Sequence, residues 1–263
     1  MSGDRVRASV DGNGIATVTL ANAARHNAFD DEMIGDLHRI FRSLGEDSAA
    51  RVVVLAAEGK SFSAGADLAW MQRMANYGYE ENLADARALA DMLRCLNTLP
   101  RPTIARVQGA AFGGAVGLVS CCDMAVGTPH ASFCLSEVRI GLVPATIAPY
   151  VIRAIGERAA RRYFQTAERF DAAAAHSLGL LSHLVDEAAI DTCVADLAGQ
   201  LLANGPAALA AAKTLALGVS GRAIDETVLN ETSELIARVR VSDEGQEGLT
   251  AFLEKRKPAW TPS

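Results

Sequence analysis

Apolar residues recur along this chain with two different periods, and the switches between them mark out its elements. Alternation with period two runs through Arg5-Val-Arg-Ala-Ser-Val10 and again through Ile15-Ala-Thr-Val-Thr-Leu20. Between them lies the turn signal Asp11-Gly-Asn-Gly14, so residues 5–20 are predicted to form a hairpin. Asn22 to Asn27 is a polar loop carrying Arg25 and His26. Asp30-Asp-Glu then opens a helix to about Leu44, with acids in the first turn where the helix dipole favours them. The unbroken apolar run Val52–Ala57 reads as a buried strand. A long helical stretch from about Tyr79 to Leu99 is stopped by Pro100 and Pro102. Residues 102–107 form the next strand, Gly113–Ser120 a helix small enough to pack tightly, and 124–126 and 131–134 two short strands.

Gly141-Leu-Val-Pro144 is a turn into helices over 145–155 and 157–167. From about Asp171 the pattern is helical apart from a short strand at Leu184-Val185. Strands that alternate with helices in the first two-thirds predict an α/β fold of repeated ββα units. The helical last third reads as a lid or an assembly surface. The whole divides into a core over residues 1–200 and a helical region over 201–263.

Half of the 263 residues are hydrophobic, enough for a sizeable core, yet aromatics make up only 5%. That scarcity favours close packing of helices on a sheet. No apolar run reaches the roughly 18 residues of a membrane span, and the N-terminal residues carry no apolar leader; the expectation is a cytoplasmic protein with no membrane partner. A net charge of −6 with no long basic run argues against nucleic acid. The compact cluster Lys255-Arg256-Lys257 is either a solvated helix end or a phosphate contact. The five cysteines match neither a redox pair nor a zinc knuckle, and no His-x-x-x-His or calcium loop is present, so no metal is expected.

Two glycine-rich elements hold the candidate chemistry. Ser61-Phe-Ser-Ala-Gly-Ala-Asp67 and Gln108-Gly-Ala-Ala-Phe-Gly-Gly114 each follow a strand, and the lone carboxylate Glu137 comes after both. A strand that ends in small residues and enters a helix leaves main-chain N–H groups pointing into open space. One such group from each element would hold a developing oxyanion while Glu137 moves a proton beside it. That chemistry suits a carbonyl or thioester. The five histidines are scattered and no G-x-S-x-G elbow exists, which leaves a hydrolase triad unsupported. Gly109–Gly114 also fails the dinucleotide pattern G-x-G-x-x-G.

Phe62-Ser-Ala-Gly-Ala-Asp-Leu68 and Val107–Asp123, in register, resemble the signatures of the enoyl-CoA hydratase/isomerase (crotonase) superfamily across nearly the whole chain. Ser63–Met71 and Phe133–Pro144 look most like its bacterial methylglutaconyl-CoA hydratase branch, with isohexenylglutaconyl-CoA hydratases similar too. The resemblance implies a crotonase-like ββα superhelix whose C-terminal helices, 201–263, mediate trimers or dimers of trimers. It implies an acyl-CoA substrate, with coenzyme A entering as part of that substrate and no separate cofactor. Ala66 and Gly114 stand where the family's two N–H donors bind the thioester oxygen, and Glu137 where many hydratases keep the acid that exchanges the α-proton. Ala64, Asp67, Leu68, Trp70, Gly113 and Gly117 fall among positions along the acyl and pantetheine path; Asp67 is equally readable as a helix N-cap. Arg25, Asn27 and Lys257 fall where the nucleotide is approached.

Gly117 is a departure, because typical hydratases carry a second glutamate there. Glu137 does both jobs through one water, or a distal substrate carboxylate orients the water, or the protein is a Δ3,Δ2-enoyl-CoA isomerase. The preferred expectation is hydration of 3-methylglutaconyl-CoA to 3-hydroxy-3-methylglutaryl-CoA in leucine breakdown. Its second carboxylate calls for a cation, for which Arg73, Arg87 and Arg139 are candidates. Outside enzymes, a CoA-ester- or RNA-binding protein remains the rival.

Overall fold

The computed structural model describes residues 5–261, and its first elements follow the alternation of the sequence. Strands β1 (Val6–Val10) and β2 (Ile15–Leu20) pair antiparallel, Val6 opposite Leu20. Ala16, Val18 and Leu20 are fully buried while Ile15, Thr17 and Thr19 between them are half-buried, as period two requires of a sheet with one face on the core. From β2 onward the main sheet is parallel. It adds β3 (Val52–Ala57), β4 (Thr103–Val107), β6 (Met124–Gly127) and β9 (His183–Leu184), giving the order β1-β2-β3-β4-β6-β9. The remaining strands, β5 (Ala110–Phe112), β7 (Ser132–Cys134) and β8 (Phe170–Asp171), form a separate three-stranded sheet.

Helix α1 (Asp31–Glu46) begins where the Asp30 carboxylate accepts the Met33 N–H at 2.9 Å. Its buried residues Met33, Ile34, Leu37, Ile40, Phe41 and Leu44 recur at three and four and so make one stripe. After α2 (Leu68–Met74) comes α3 (Tyr79–Asn97), which packs along α1. Thr98 leaves helical geometry, so α3 stops short of the predicted Leu99. Helix α4 (Gly114–Cys121) is buried on nearly every side, which its run of small and apolar residues permits. Helices α5 (Ala148–Ile155), α6 (Glu157–Thr166) and α7 (Ala172–Ser177) follow. On the opposite face of the sheet, α8 (Ile190–Leu202) seats Ile190, Val194, Ala198 and Leu202 on Val52, Val54, Ile104 and Val126.

Helix α8 runs across residue 200, where the sequence pattern had divided core from extension; Leu202 still belongs to the packed layer. Beyond it, α9 (Pro206–Val219), α10 (Glu226–Val241) and α11 (Asp243–Leu253) bury only Val228 and Ala251 between them. Polar ties hold this layer together and to the core. The Arg51 guanidinium donates to the carbonyls of Leu202, Asn204 and Trp260, and within the layer the Glu244 carboxylate of α11 caps α9 through the N–H groups of Ala207 and Ala208. Among the described residues, no helix is long and apolar enough to cross a membrane.

Candidate active site

The segment Ser61–Asp67 is not a free loop but a strip stitched on both edges. On one side the Ala64 N–H donates to His26 O, the Phe29 N–H to Gly65 O and the Asp67 N–H to Phe29 O. On the other, the Ser63 N–H donates to Ala110 O, and the Phe112 N–H to Ser63 O. Two side-chain amides, the buried Asn27 and the half-buried Gln108, brace it from behind. Asn27 Nδ2 donates to Glu58 O and Ser61 O, and Gln108 Nε2 donates to Ala57 O and Gly59 O. The strip then ends at Asp67, which caps α2 by accepting from Ala69 and Trp70 at 2.8 and 3.2 Å.

The second element turns at Gly113, whose φ of 54° lies in the left-handed region. A Cβ there would also stand 3.3 Å from Glu137 Oε1, so glycine suits both the turn and the neighbour. The Gly113 N–H is taken by Cys134 O at 2.9 Å, and α4 starts at the next residue. As the first residue of α4, Gly114 has no partner for its N–H within the helix. Among the described residues, neither the Ala66 N–H nor the Gly114 N–H donates a hydrogen bond.

Glu137 opens a short 3-10 turn, Glu137–Ile140, closed by Gly141 at a φ of 76°. The turn is anchored where Arg139 donates to Ala167 O at 2.7 Å, so Arg139 does not pair with Glu137. Glu137 Oε2 is buried and lacks a hydrogen-bond partner. Burial pushes its carboxyl above the ordinary glutamate value, opposed by its own backbone N–H.

Ala66, Gly114 and Glu137 line one cavity of about 190 Å³. Phe29, Ile34, Trp70, Met74, Leu89 and Ile147 wall it, and the exposed Leu142 and Val143 also contribute to its lining. Glu137 is the one ionisable side chain in that lining. Roomier depressions lie elsewhere: two against α6 with Arg158 and Arg162, one beyond the C-terminal end of α4, and one along α8. None of them is lined by Ala66, Gly114 or Glu137.

The other predicted positions fall less evenly. Trp70 lines the cavity, and Gly113 stands where a Cβ would come against Glu137. Asp67 serves as the α2 N-cap and pairs with Arg25 at 3.1 Å; burial opposes its charge, but the Trp70 and Ala69 amides and Arg25 hold the carboxyl below its usual value. Ala64, Leu68, Arg25 and Lys257 are exposed and outside the cavity lining. Asn27 corrects the expectation of a nucleotide contact through its side chain, because it is fully buried and its amide is consumed by three main-chain groups. Gly117 is buried inside α4, not at the cavity surface. A Cβ built on it would lie 2.9 Å from Ile147 Cβ and nearer still to Ile147 Cγ2. Sequence reasoning missed Phe29, Leu89 and Ile147, since apolar residues on three different helices and loops carry no local sign of sharing a wall.

Residues 11–263 match the family model described as enoyl-CoA hydratase/isomerase. The chain belongs to the enoyl-CoA hydratase/isomerase family. Its fold is the crotonase fold. It superposes on the crystal structure of an enoyl-CoA hydratase from Shewanella pealeana with a TM-score of 0.95, at 47% identity over 97% of this chain and 96% of that one. An enoyl-CoA hydratase from Mycobacterium smegmatis gives a TM-score of 0.92 at 32% identity, covering 98% of this chain and 99% of the other. The Alternaria alternata enoyl-CoA hydratase AKT6-1 is 30% identical over 246 residues, 93% of this chain and 80% of its own length. None of these three names specifies a methylglutaconyl substrate.

Proposed function

We propose that this enzyme adds water reversibly across the α,β double bond of an acyl-CoA thioester. The observation that carries the reading is the meeting of two unused main-chain N–H groups, on Ala66 and Gly114, with the Glu137 carboxyl, whose Oε2 has no partner, in one apolar cavity. Attack at the β-carbon drives negative charge onto the thioester oxygen. Fixed N–H donors in a site of low polarity stabilise that enolate; one such donor is typically worth about 10²–10³-fold in rate. A carboxyl whose proton affinity is raised by burial is suited to moving the α-proton near neutral pH.

For the acyl group, the walls by themselves favour an aliphatic body. Our preferred first substrate is 3-methylglutaconyl-CoA, supported by the stretches Ser63–Met71 and Phe133–Pro144. Arg73 pairs with Asp31 at 2.5 Å, Arg139 is held on Ala167 O, and Arg87 is exposed; none lines the cavity. The distal carboxylate therefore belongs in solvent outside the lining described here. Arg25 and Lys257, both exposed, are proposed to meet the CoA nucleotide. The exposed apolar side chains of Leu249, Phe252 and Leu253 on α11 and Val241 on α10 are proposed to cover a second copy of the chain in a trimer or a dimer of trimers.

Incubation with 3-methylglutaconyl-CoA and, separately, crotonyl-CoA, read by mass spectrometry, tests the reaction. Gain of one water on either thioester supports it. Neither thioester gaining water overturns the hydratase reading for these substrates. A single carboxylate also suits double-bond migration, so a β,γ-enoyl-CoA is the next substrate to assay.

A further inference from the structure

The lining of the cavity holds one group able to carry a proton, and the fold closes the place where a second would stand. Gly117 lies one turn into α4 from Gly114, and the space its side chain would need is filled by Ile147, which is 2% exposed. Ile147 in turn lines the cavity, so an aliphatic surface replaces a carboxylate on that side. The other side chains in the lining with a polar hydrogen are Thr146 and Trp70, and neither the hydroxyl nor the indole N–H ionises near neutral pH. No charged side chain shares the lining with Glu137; Arg139, the nearest in sequence, is anchored on Ala167 O.

We infer that Glu137 alone carries the proton in both halves of the reaction, first taking it from the attacking water and then delivering it to the α-carbon. This rests on the hydratase reading above. The bookkeeping closes with one group. The ionised Glu137 carboxylate accepts a proton from water as the water oxygen bonds to the β-carbon. The π pair of the double bond moves toward the α-carbon and the thioester oxygen, where the Ala66 and Gly114 N–H groups hold the enolate charge. The Glu137 carboxyl then gives the same proton to the α-carbon, the carbonyl reforms, and the carboxylate is regenerated. Nothing is oxidised and no further group is consumed. Because one carboxyl serves both carbons, the hydroxyl and the proton must arrive on the same face of the substrate.

Such a cycle starts from the ionised carboxylate in either direction. The rate in each direction must therefore rise with pH through a single ionisation and then level off, whereas an acid and a base acting together give a bell.

The test uses the wild-type enzyme and Glu137→Gln on the hydrated thioester. The expected results are a single ascending limb for kcat/KM in both hydration and dehydration, and deuterium from D2O added at the α-carbon on the hydroxyl face. Glu137→Gln should lower water addition and α-proton exchange together, each by about 10²–10⁴-fold, while binding of a saturated acyl-CoA persists. A bell with a second limb in the carboxylate range, deuterium on the opposite face, or water addition that survives in Glu137→Gln overturns this inference and leaves the hydratase reading intact. Wild-type protein that exchanges α-protons but adds no water overturns both. The two wild-type measurements stand even if the variant does not fold.

Discussion

Two carboxylates flank helix α4, and their surroundings could hardly differ more. At the C-terminal end, Asp123 Oδ2 accepts the Thr103 N–H at 2.8 Å, the Thr103 hydroxyl at 2.9 Å and the Lys213 ammonium at 2.9 Å. At the N-terminal end, Glu137 Oε2 is buried with no partner and faces aliphatic and aromatic walls. The first arrangement uses a charge to fasten β4, α4 and α9 together. The second keeps a charge under-solvated and free to change. A carboxylate with all its bonds made is structural; one with bonds left to make is available for chemistry.

The sharpest break of this contrast is to neutralise each acid in turn. Glu137→Gln keeps shape and should cost about 10²–10⁴-fold in kcat/KM for hydration, with no loss in the urea midpoint. Asp123→Ala should do the reverse. It leaves the Lys213 side chain, 10% exposed, without its counter-charge, a loss we place at about 2–3 kcal/mol in urea unfolding, with kcat/KM little changed. Between the two ends, Gly117→Ala forces a methyl against Ile147 and should destabilise by about 1–3 kcal/mol; calorimetry would show it, and an unchanged midpoint would mean that Ile147 yields.

The smallest effect is one of sign. Burial lifts the folded-state value of Glu137 above its unfolded value, so the folded chain binds that proton more tightly. The group's contribution is most favourable below the unfolded value and is lost as pH rises through the folded one. Glu137→Gln cannot ionise, so its stability relative to wild type should improve as pH climbs through that interval and level off above it. A gap that is flat with pH would show that Glu137 is not under-solvated.

Local pattern revealed most of the frame. The hairpin, α1 and the start of α3 follow from period and from acids in first turns, because those signals act within a few residues. Helix α2 was legible only in part, through Asp67 as a helix N-cap; its seven residues carry one buried side chain, Trp70, and leave little periodic trace. The division of strands into two sheets was likewise hidden, since β5 and β7 are three residues each and pair over long separations. At the site, glycine and alanine were legible because main-chain approach demands small residues there. Asn27 was not: the resemblance put its loop near the nucleotide, whereas folding spends the amide on two carbonyls and one N–H of its own chain. The pairing of Gly117 with Ile147 spans two helical elements, and no period in the sequence connects them.

The strip that carries Ala66 is held edge to edge by the main chain of Phe29 and, through Ser63, of Ala111. A donor mounted this way is almost invisible to point mutation. Exchanging the methyl of Ala66 for another small group leaves the N–H where it was, and of the twenty amino acids only proline deletes it. Glu137 has no such shelter, since a single base change in its codon can remove the acid. Random mutagenesis of this gene, scored by turnover, should therefore be nearly silent on half of the chemistry at this site and loud on the other half.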